Sequence, residues 1–268
     1  MGRRINKIKL FVNDNEKSRI VAKDLEFELL KYNFELVDKN YDLAISVGGD
    51  GSFLRMVKET KFNENIYYIG VNSGTLGFLQ EIDIKDTIDF VKRLNSDEYK
   101  IEKINIQETK VITEDKVYNF DSLNEIVIRN RDFNVLRVPV YVDEELLENF
   151  SGDGVLISTS TGTTAYNLSF NGSIVYNTLK TLTITPIAPL NNKVYKTLIN
   201  SVIVPGDKVI TLILNKEFKD LFIQVDGVNK LFDSVIKVET KIGKKSIKCL
   251  RMNDFHFIKV INNKILSK

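Results

Sequence analysis

Two hydrophobic rhythms follow one another along this chain, and the change between them constrains the fold more than any other feature. Up to about residue 100, apolar runs alternate with stretches of helical period. Ile8 to Val12 is extended and apolar, Ser18 to Tyr32 carries Ile20, Val21, Leu25, Leu29 and Leu30 at helical spacing, and Leu43 to Val47 is a compact apolar run. Helical patterns then cover Ser52 to Thr60 and Lys85 to Leu94, with a strand pattern at Ile66 to Val71 between them. Such alternation predicts a parallel sheet with crossover helices. From about Ile104 the alternation gives way to short β-rich runs: Leu123 to Arg129, Val138 to Val142, Val202 to Val204, Val209 to Leu214 and Leu221 to Val225. The expected architecture is an α/β domain over residues 1–103 followed by a β-rich, sandwich-like domain over 104–249. The stretch Phe255 to Leu266 is expected as a last strand or helix, with a tail of about 250–268 packing back on the first domain. Pro205-Gly206-Asp207 and Asp226-Gly227, each between apolar runs, predict hairpin turns.

Composition narrows the partners. Apolar residues at 43% and charged residues at 28% are ordinary globular usage, which argues against disorder at this length. The formal charge is 38 − 36 = +2, and lysines are scattered apart from pairs such as Lys244-Lys245, so no nucleic-acid surface is expected. The single cysteine, Cys249, excludes an intrachain disulfide and a multi-cysteine metal site; it is expected to be buried. Met1-Gly2-Arg3-Arg4 with Lys7 and Lys9 does not read as a secretory signal, so a cytoplasmic protein is expected. The uncharged run Gly154 to Leu179 is long enough to span a membrane, but its nine Ser or Thr and three Asn argue against insertion. The only histidine, His256, sits between Phe255 and Phe257 and is expected as a packed or surface residue rather than a catalytic one, leaving zinc catalysis without support.

Chemistry concentrates first at Gly48-Gly49-Asp50-Gly51, between the apolar run ending at Val47 and the helix expected from Ser52. In an open α/β sheet, ligands sit at the carboxyl ends of strands, where glycines and a helix N-terminus bring backbone N–H groups to an anion. The turn is neither G-x-x-x-x-G-K-[ST] nor G-x-G-x-x-G, which disfavours a P-loop and a simple Rossmann site. An acid in an anion-binding turn makes sense as a Mg²⁺ ligand or as an acceptor of a proton from an attacking hydroxyl. The plain alternative is a helix cap.

Three further segments are unusual for plain structure. Asn72-Ser73-Gly74-Thr75-Leu76-Gly77-Phe78-Leu79 follows a strand with small and polar residues, as a ligand loop does. Asn124-Glu125 offers donors and acceptors to a base edge or a sugar diol. Ser151-Gly152-Asp153-Gly154, continuing through Ser158-Thr159-Ser160-Thr161-Gly162-Thr163-Thr164-Ala165-Tyr166-Asn167-Leu168-Ser169, gathers hydroxyls, glycines and one acid around a short apolar centre. Taken alone, it also reads as a Ser/Thr-rich strand pair with loops.

Together, in this order, the segments resemble the NAD kinase family, whose members share a GGDG turn, an N-x-G-x-x-G-F-L loop, an Asn-Glu pair and a GDG run ending in T-G-x-T-A-Y. The resemblance covers most of the chain. Two departures stand out: Ser151 occupies a position commonly basic in the family, and Ser160 stands where S-T-P-T-G has proline.

The resemblance implies transfer of the terminal phosphoryl group of ATP, or of polyphosphate, to the 2′-hydroxyl of the adenosine ribose of NAD, giving NADP. It implies Asp50 as the base, with Mg²⁺ arriving on the nucleotide and no metal held by the protein alone. Asn124 and Glu125 would hold the dinucleotide, and Asp153, Thr164, Ala165, Tyr166 and Ser169 would form the opposite wall. Gly49, Gly51, Asn72, Phe78, Ser158, Thr161 and Asn167 belong to the same implied binding set. Arg55, one helical turn past Asp50, and Ala188, within Thr185-Pro186-Ile187-Ala188-Pro189, are further implied contacts. A homodimer or homotetramer without nucleic acid or membrane is implied too. The rival readings are a diacylglycerol or sphingoid-lipid kinase, which shares the GGDG turn but not the Thr164-Ala165-Tyr166 pattern, and a catalytically silent dinucleotide sensor.

Overall fold

The computed structural model of the chain describes residues 4–74, 77–132, 134–215 and 220–266. Thr75 and Leu76 of the Asn72 loop lie outside the described residues, as do Met1, Gly2 and Arg3. The chain forms two compact units, one made of residues up to Ile104 together with those from Ser246 onward, the other of Asn105–Lys245.

In the first unit, β1 (Lys7–Val12), α1 (Glu16–Lys31), β2 (Glu35–Leu36), β3 (Leu43–Gly48), α2 (Asp50–Glu59), β4 (Tyr67–Asn72) and α3 (Thr87–Asn95) follow in order. The strands are parallel, in the order β2-β1-β3-β4, and Lys248 and Cys249 add a further parallel pairing at Tyr67 and Tyr68. Every residue of β3 and β4 is buried, as expected of interior strands covered on both faces. Helix α1 starts at Asn15, whose side chain accepts the N–H of Ser18 at 2.8 Å, and buries Ser18, Val21, Ala22, Leu25 and Leu29. Ile20 and Leu30, read from the sequence as part of that apolar stripe, are exposed. Ser18 takes the inward place instead, because its hydroxyl meets that of Ser73 at 2.7 Å. The carboxy-terminal stretch is helical: a short helix over Phe257–Ile261 runs into a wider turn over Asn262–Leu266.

The second unit is antiparallel. It comprises β5 (Tyr99–Thr113), β6 (Val117–Ser122), β7 (Glu125–Asn130), β8 (Leu136–Val142), β9 (Glu145–Gly152), β10 (Gly154–Thr159), a 3₁₀ turn at Thr161–Thr164 and α4 (Tyr166–Ser169). Then come β11 (Thr181–Ile187), β12 (Val202–Pro205), β13 (Ile210–Ile213), β14 (Leu221–Val225), β15 (Val228–Phe232) and β16 (Val235–Met252), the chain crossing between units within β5 and β16. One sheet runs β12-β11-β10-β7-β14-β15; in the other, β13 lies between β16 and β8, β8 pairs β9, and β5 pairs β6. Alternate residues of the two sheets, among them Ile126, Ile128, Val155, Ile157, Val138, Val140, Leu212 and Phe150, share one core. The expected α/β domain followed by a β-rich, sandwich-like one is therefore what the chain forms.

Asp226-Gly227 is the predicted hairpin turn, with Val225 opposite Val228 and φ of +45° and +77°, as a two-residue turn of the primed type requires. Pro205-Gly206-Asp207 is not a hairpin. It joins β12, which pairs β11, to β13, which pairs β8 and β16, so the chain changes sheets there. The corner is held by the N–H of Gly206 on Lys180 O at 3.0 Å and that of Ile242 on Gly206 O at 2.8 Å.

Candidate active site

The end of β3 delivers Asp50 as the first residue of α2; Gly49 is the cap and makes no side-chain capping bond. The carboxylate of Asp50 does not close its own helix. Its Oδ2 accepts the N–H of Phe78 at 2.7 Å and its Oδ1 that of Leu79 at 2.9 Å, so the loop after β4 grips the acid. That grip needs glycine at Gly77, where an added Cβ would stand 2.7 Å from Asp50 Oδ1. Gln80 locks the arrangement from below: its amide donates to Gly49 O at 2.6 Å, and its carbonyl accepts the buried Ser46 hydroxyl at 3.2 Å. Burial pushes the Asp50 pKa above the ordinary carboxylate value; the N–H groups of Phe78 and Leu79, and Lys264, pull the other way without cancelling it.

Around Asp50, Gly49 and Gly51 have open space where a Cβ would be, and Phe78 is half-buried. Asn72 is buried and its Oδ1 accepts the Gly74 N–H at 2.8 Å, which shapes the start of the loop. Arg55 is on the exposed side of α2, donating to Asn13 Oδ1 at 3.3 Å and lying 3.9 Å from Glu59. Asn13, just past β1, is a neighbour the sequence did not single out.

In the second unit, Asn124 immediately precedes β7 and Glu125 opens it; both are buried. Asn124 Oδ1 and Glu125 Oε2 have no hydrogen-bond partner among the described residues. Burial first, and the nearby Asp226 carboxylate second, drive the Glu125 pKa up to about 8 against the opposing N–H of Tyr166. In the register, Ser158 lies opposite Glu125 on one side and Thr183 on the other, and both hydroxyls are likewise buried without a partner. A row of polar groups on one sheet face, three strands wide and unsatisfied by protein, marks a place built for something else to bond.

The turn Thr161–Thr164 and helix α4 cover that face. Gly162 packs against the backbone of Asn124, whose carbonyl a Cβ would strike. Thr164 donates back to Thr161 O at 3.2 Å, and Ala165 adopts φ −99°, ψ −128° to start the helix. Tyr166 is half-buried, 4.9 Å edge-to-face from Phe170, over Val127, Leu156 and Ile187. Ser169, Asp153 and Ala188 are exposed, and Ala188 holds a positive φ of +43°. Asn167 is spent internally: it donates to Thr163 O and Ser173 O and accepts from the Thr185 hydroxyl at 2.6 Å, so it braces the covering segment. Ser151 is buried in β9, with its N–H on the Thr197 hydroxyl and Arg137 directly opposite on β8.

The residue that sequence reasoning missed is Asp226. Its carboxylate accepts the N–H groups of Leu123, Asn124 and Glu125 at 2.7, 2.8 and 3.2 Å, holding the Asn-Glu pair from a hairpin a hundred residues away in sequence. The Asp-Gly turn signal locates Asp226 but not its bonding. No cluster of three metal-binding side chains occurs among the described residues, and none of their helices is long and apolar enough to cross a membrane.

The chain matches known proteins along most of its length. Residues 8–99 match the ATP-NAD kinase N-terminal domain and residues 123–248 the ATP-NAD kinase C-terminal domain. The chain is 37% identical to an NAD kinase of Finegoldia magna over 263 residues, covering 94% of this chain and 96% of that one. Among solved structures, yeast NADH kinase complexed with NADH superposes with a TM-score of 0.85 at 20% identity, covering 99% of this chain and 91% of that one. An NAD kinase from Archaeoglobus fulgidus in complex with ATP gives 0.75 at 21%, covering 96% and 97%. At such identity the two structures speak for the fold. The sequence likeness, sustained along nearly the whole length of both chains, goes further: this chain belongs to the NAD kinase family of phosphotransferases.

Proposed function

We propose that this NAD kinase moves the terminal phosphoryl group of ATP, or of polyphosphate, to the 2′-hydroxyl of the adenosine ribose of NAD, with Asp50 as the general base. The observation that carries the role of Asp50 is its grip by two backbone N–H groups in a partly buried turn, which fixes the carboxylate while burial raises its basicity. Each oxygen keeps a lone pair for the incoming proton. The 2′-hydroxyl proton passes to Asp50, the ribose oxygen forms a bond to the terminal phosphorus, and the bond to the bridging oxygen breaks, leaving ADP when ATP is the donor. A placed base contributes about 10²–10⁴ in rate; alignment and charge neutralisation contribute the rest.

Mg²⁺ fits this site as a partner of the nucleotide. Such an ion keeps several waters and would be held chiefly by the substrate phosphates, so no protein cage is needed and Asp50 stays available for the proton. When bound, it neutralises developing phosphate charge.

The second unit selects the acceptor. Asn124 Oδ1, Glu125 Oε2 and the Ser158 hydroxyl are the unsatisfied groups that a base edge and a ribose diol would complete. With its pKa near 8, Glu125 is largely protonated at neutral pH and can donate as well as accept. Asp153, Thr161, Thr164, Ala165, Tyr166, Ser169 and Ala188 line the remainder in this reading. A cytoplasmic homo-oligomer completes it, supported by one buried cysteine and by exposed apolar side chains at Val194, Leu198 and Ile199.

The test is product formation by purified protein given Mg²⁺ and ATP with NAD, NADH, diacylglycerol or fructose 6-phosphate in parallel. NADP from NAD is expected. A folded, NAD-binding sample that makes none would overturn the transfer and leave a dinucleotide sensor; phosphorylated lipid instead would favour the rival kinase.

A further inference from the structure

On the sheet face that carries Glu125 and Ser158, Arg129 is, among the described residues, the one cation whose chemistry the reading above leaves unused. It follows Glu125 by four residues along β7, so both side chains leave the same face, about 13 Å apart. Gly154 lies opposite it on β10, and an ideal Cβ there would come within 2.7 Å of Arg129 Cγ, so the missing side chain is what lets the arginine stem lie across the strand. Its guanidinium rests 5.9 Å from the Phe170 ring and donates to the Tyr166 hydroxyl at a long 3.4 Å. The Nε is buried and makes no hydrogen bond, and no carboxylate among the described residues lies within ion-pair distance. A half-buried guanidinium is costly to leave unpaired. Its planar fork is the group best matched to a phosphate.

We infer that Arg129 holds a phosphate group of the bound dinucleotide. The inference rests on the dinucleotide reading of this face and adds to it the anion-binding end, with Glu125 and Ser158 at the other. Tyr166 then has a second task, keeping the guanidinium in place beside the strand.

Calorimetric titration of wild type, Arg129→Lys and Arg129→Met with NAD, 2′-AMP and adenosine tests this. Arg129→Met keeps an apolar stem against Phe170 but should weaken NAD by about tenfold or more, the loss of a charged hydrogen bond. Arg129→Lys should recover much of it, and adenosine, which has no phosphate, should bind all three proteins alike. A loss for NAD with 2′-AMP unchanged identifies the pyrophosphate as the partner; a loss for both shows that the guanidinium reaches a pyrophosphate oxygen and also the position of the 2′-phosphate; a loss confined to 2′-AMP would overturn the inference for bound NAD. Unchanged NAD and 2′-AMP affinity in Arg129→Met, or an equal fall for adenosine, would overturn the inference and leave Arg129 a packing residue. Wild-type protein that binds no NAD would instead overturn the dinucleotide reading beneath it. Should Arg129→Met not fold, Arg129→Gln carries the same expectation.

Discussion

Burial raises the pKa of Asp50 and of Glu125 alike, but the two acids are held by opposite means. Asp50 is fixed by N–H groups on both oxygens, whereas Glu125 keeps one oxygen buried with no partner. For Glu125 the folded pKa, about 8, lies above its ordinary 4.5. The protonated acid is thus favoured in the fold, and its contribution to stability is full below the ordinary value and lost as pH rises through the folded one. Melting temperatures of wild type and Glu125→Gln between mildly acidic and alkaline pH should therefore diverge, the wild type losing more on the alkaline side; parallel curves would remove this titration. Gly77→Ala is a sharper local test. Its Cβ collides with Asp50 Oδ1, so the loop must shift, and turnover should fall while the affinity of the second unit's ligand holds. Measured kcat and NAD affinity for that variant separate the two effects.

At the scale of elements, the covering segment and its hairpin clamp organise the Asn124-Glu125 corner. Gly162→Ala drives a methyl into the Asn124 backbone and should cost about 1–3 kcal/mol, read from urea unfolding, with NAD affinity falling in parallel. Asp226→Ala abandons three backbone donors and should cost at least about 1–3 kcal/mol by the same measurement. What the sequence made legible follows from range. The strands Leu43–Gly48 and Leu221–Val225 and the Asp226-Gly227 turn could be read because apolar runs and turn residues act locally. The sheet change at Pro205-Gly206-Asp207 could not, since a turn motif does not say which sheet receives the next strand. Nor could the clamp by Asp226, the inward place of Ser18, or the bracing role of Asn167, all of which depend on partners far along the chain or on the covering loop. The candidate site was legible as motifs, while the state of each group within it required the fold.

For the whole molecule, the amino-terminal unit depends on residues from the far end of the chain. Arg251 is buried with Glu81, at 3.0 Å, and Glu102 in an ion triad, stacked 4.5 Å from the Phe255 ring. Removing the cation takes the guanidinium from two largely buried carboxylates. Arg251→Met should destabilise this unit by about 3–5 kcal/mol, seen by denaturant unfolding and hydrogen exchange, with far less effect on Asn105–Lys245. The β-rich second unit carries unsatisfied polar groups on a sheet face and the α/β first unit carries one acid at a strand end; the proposed function assigns acceptor choice to the former and the chemistry to the latter. The claim that joins them is that Asp50 removes the proton from a bound dinucleotide. The most direct measurement is single-turnover NADP formation across pH by wild type and Asp50→Asn, with NAD affinity determined on the same samples. The account predicts unchanged NAD affinity, a rate lower by about 10²–10⁴, and loss of a wild-type acid limb that lies above the ordinary carboxylate range. An Asp50→Asn enzyme that turns over at the wild-type rate with the same acid limb would contradict it.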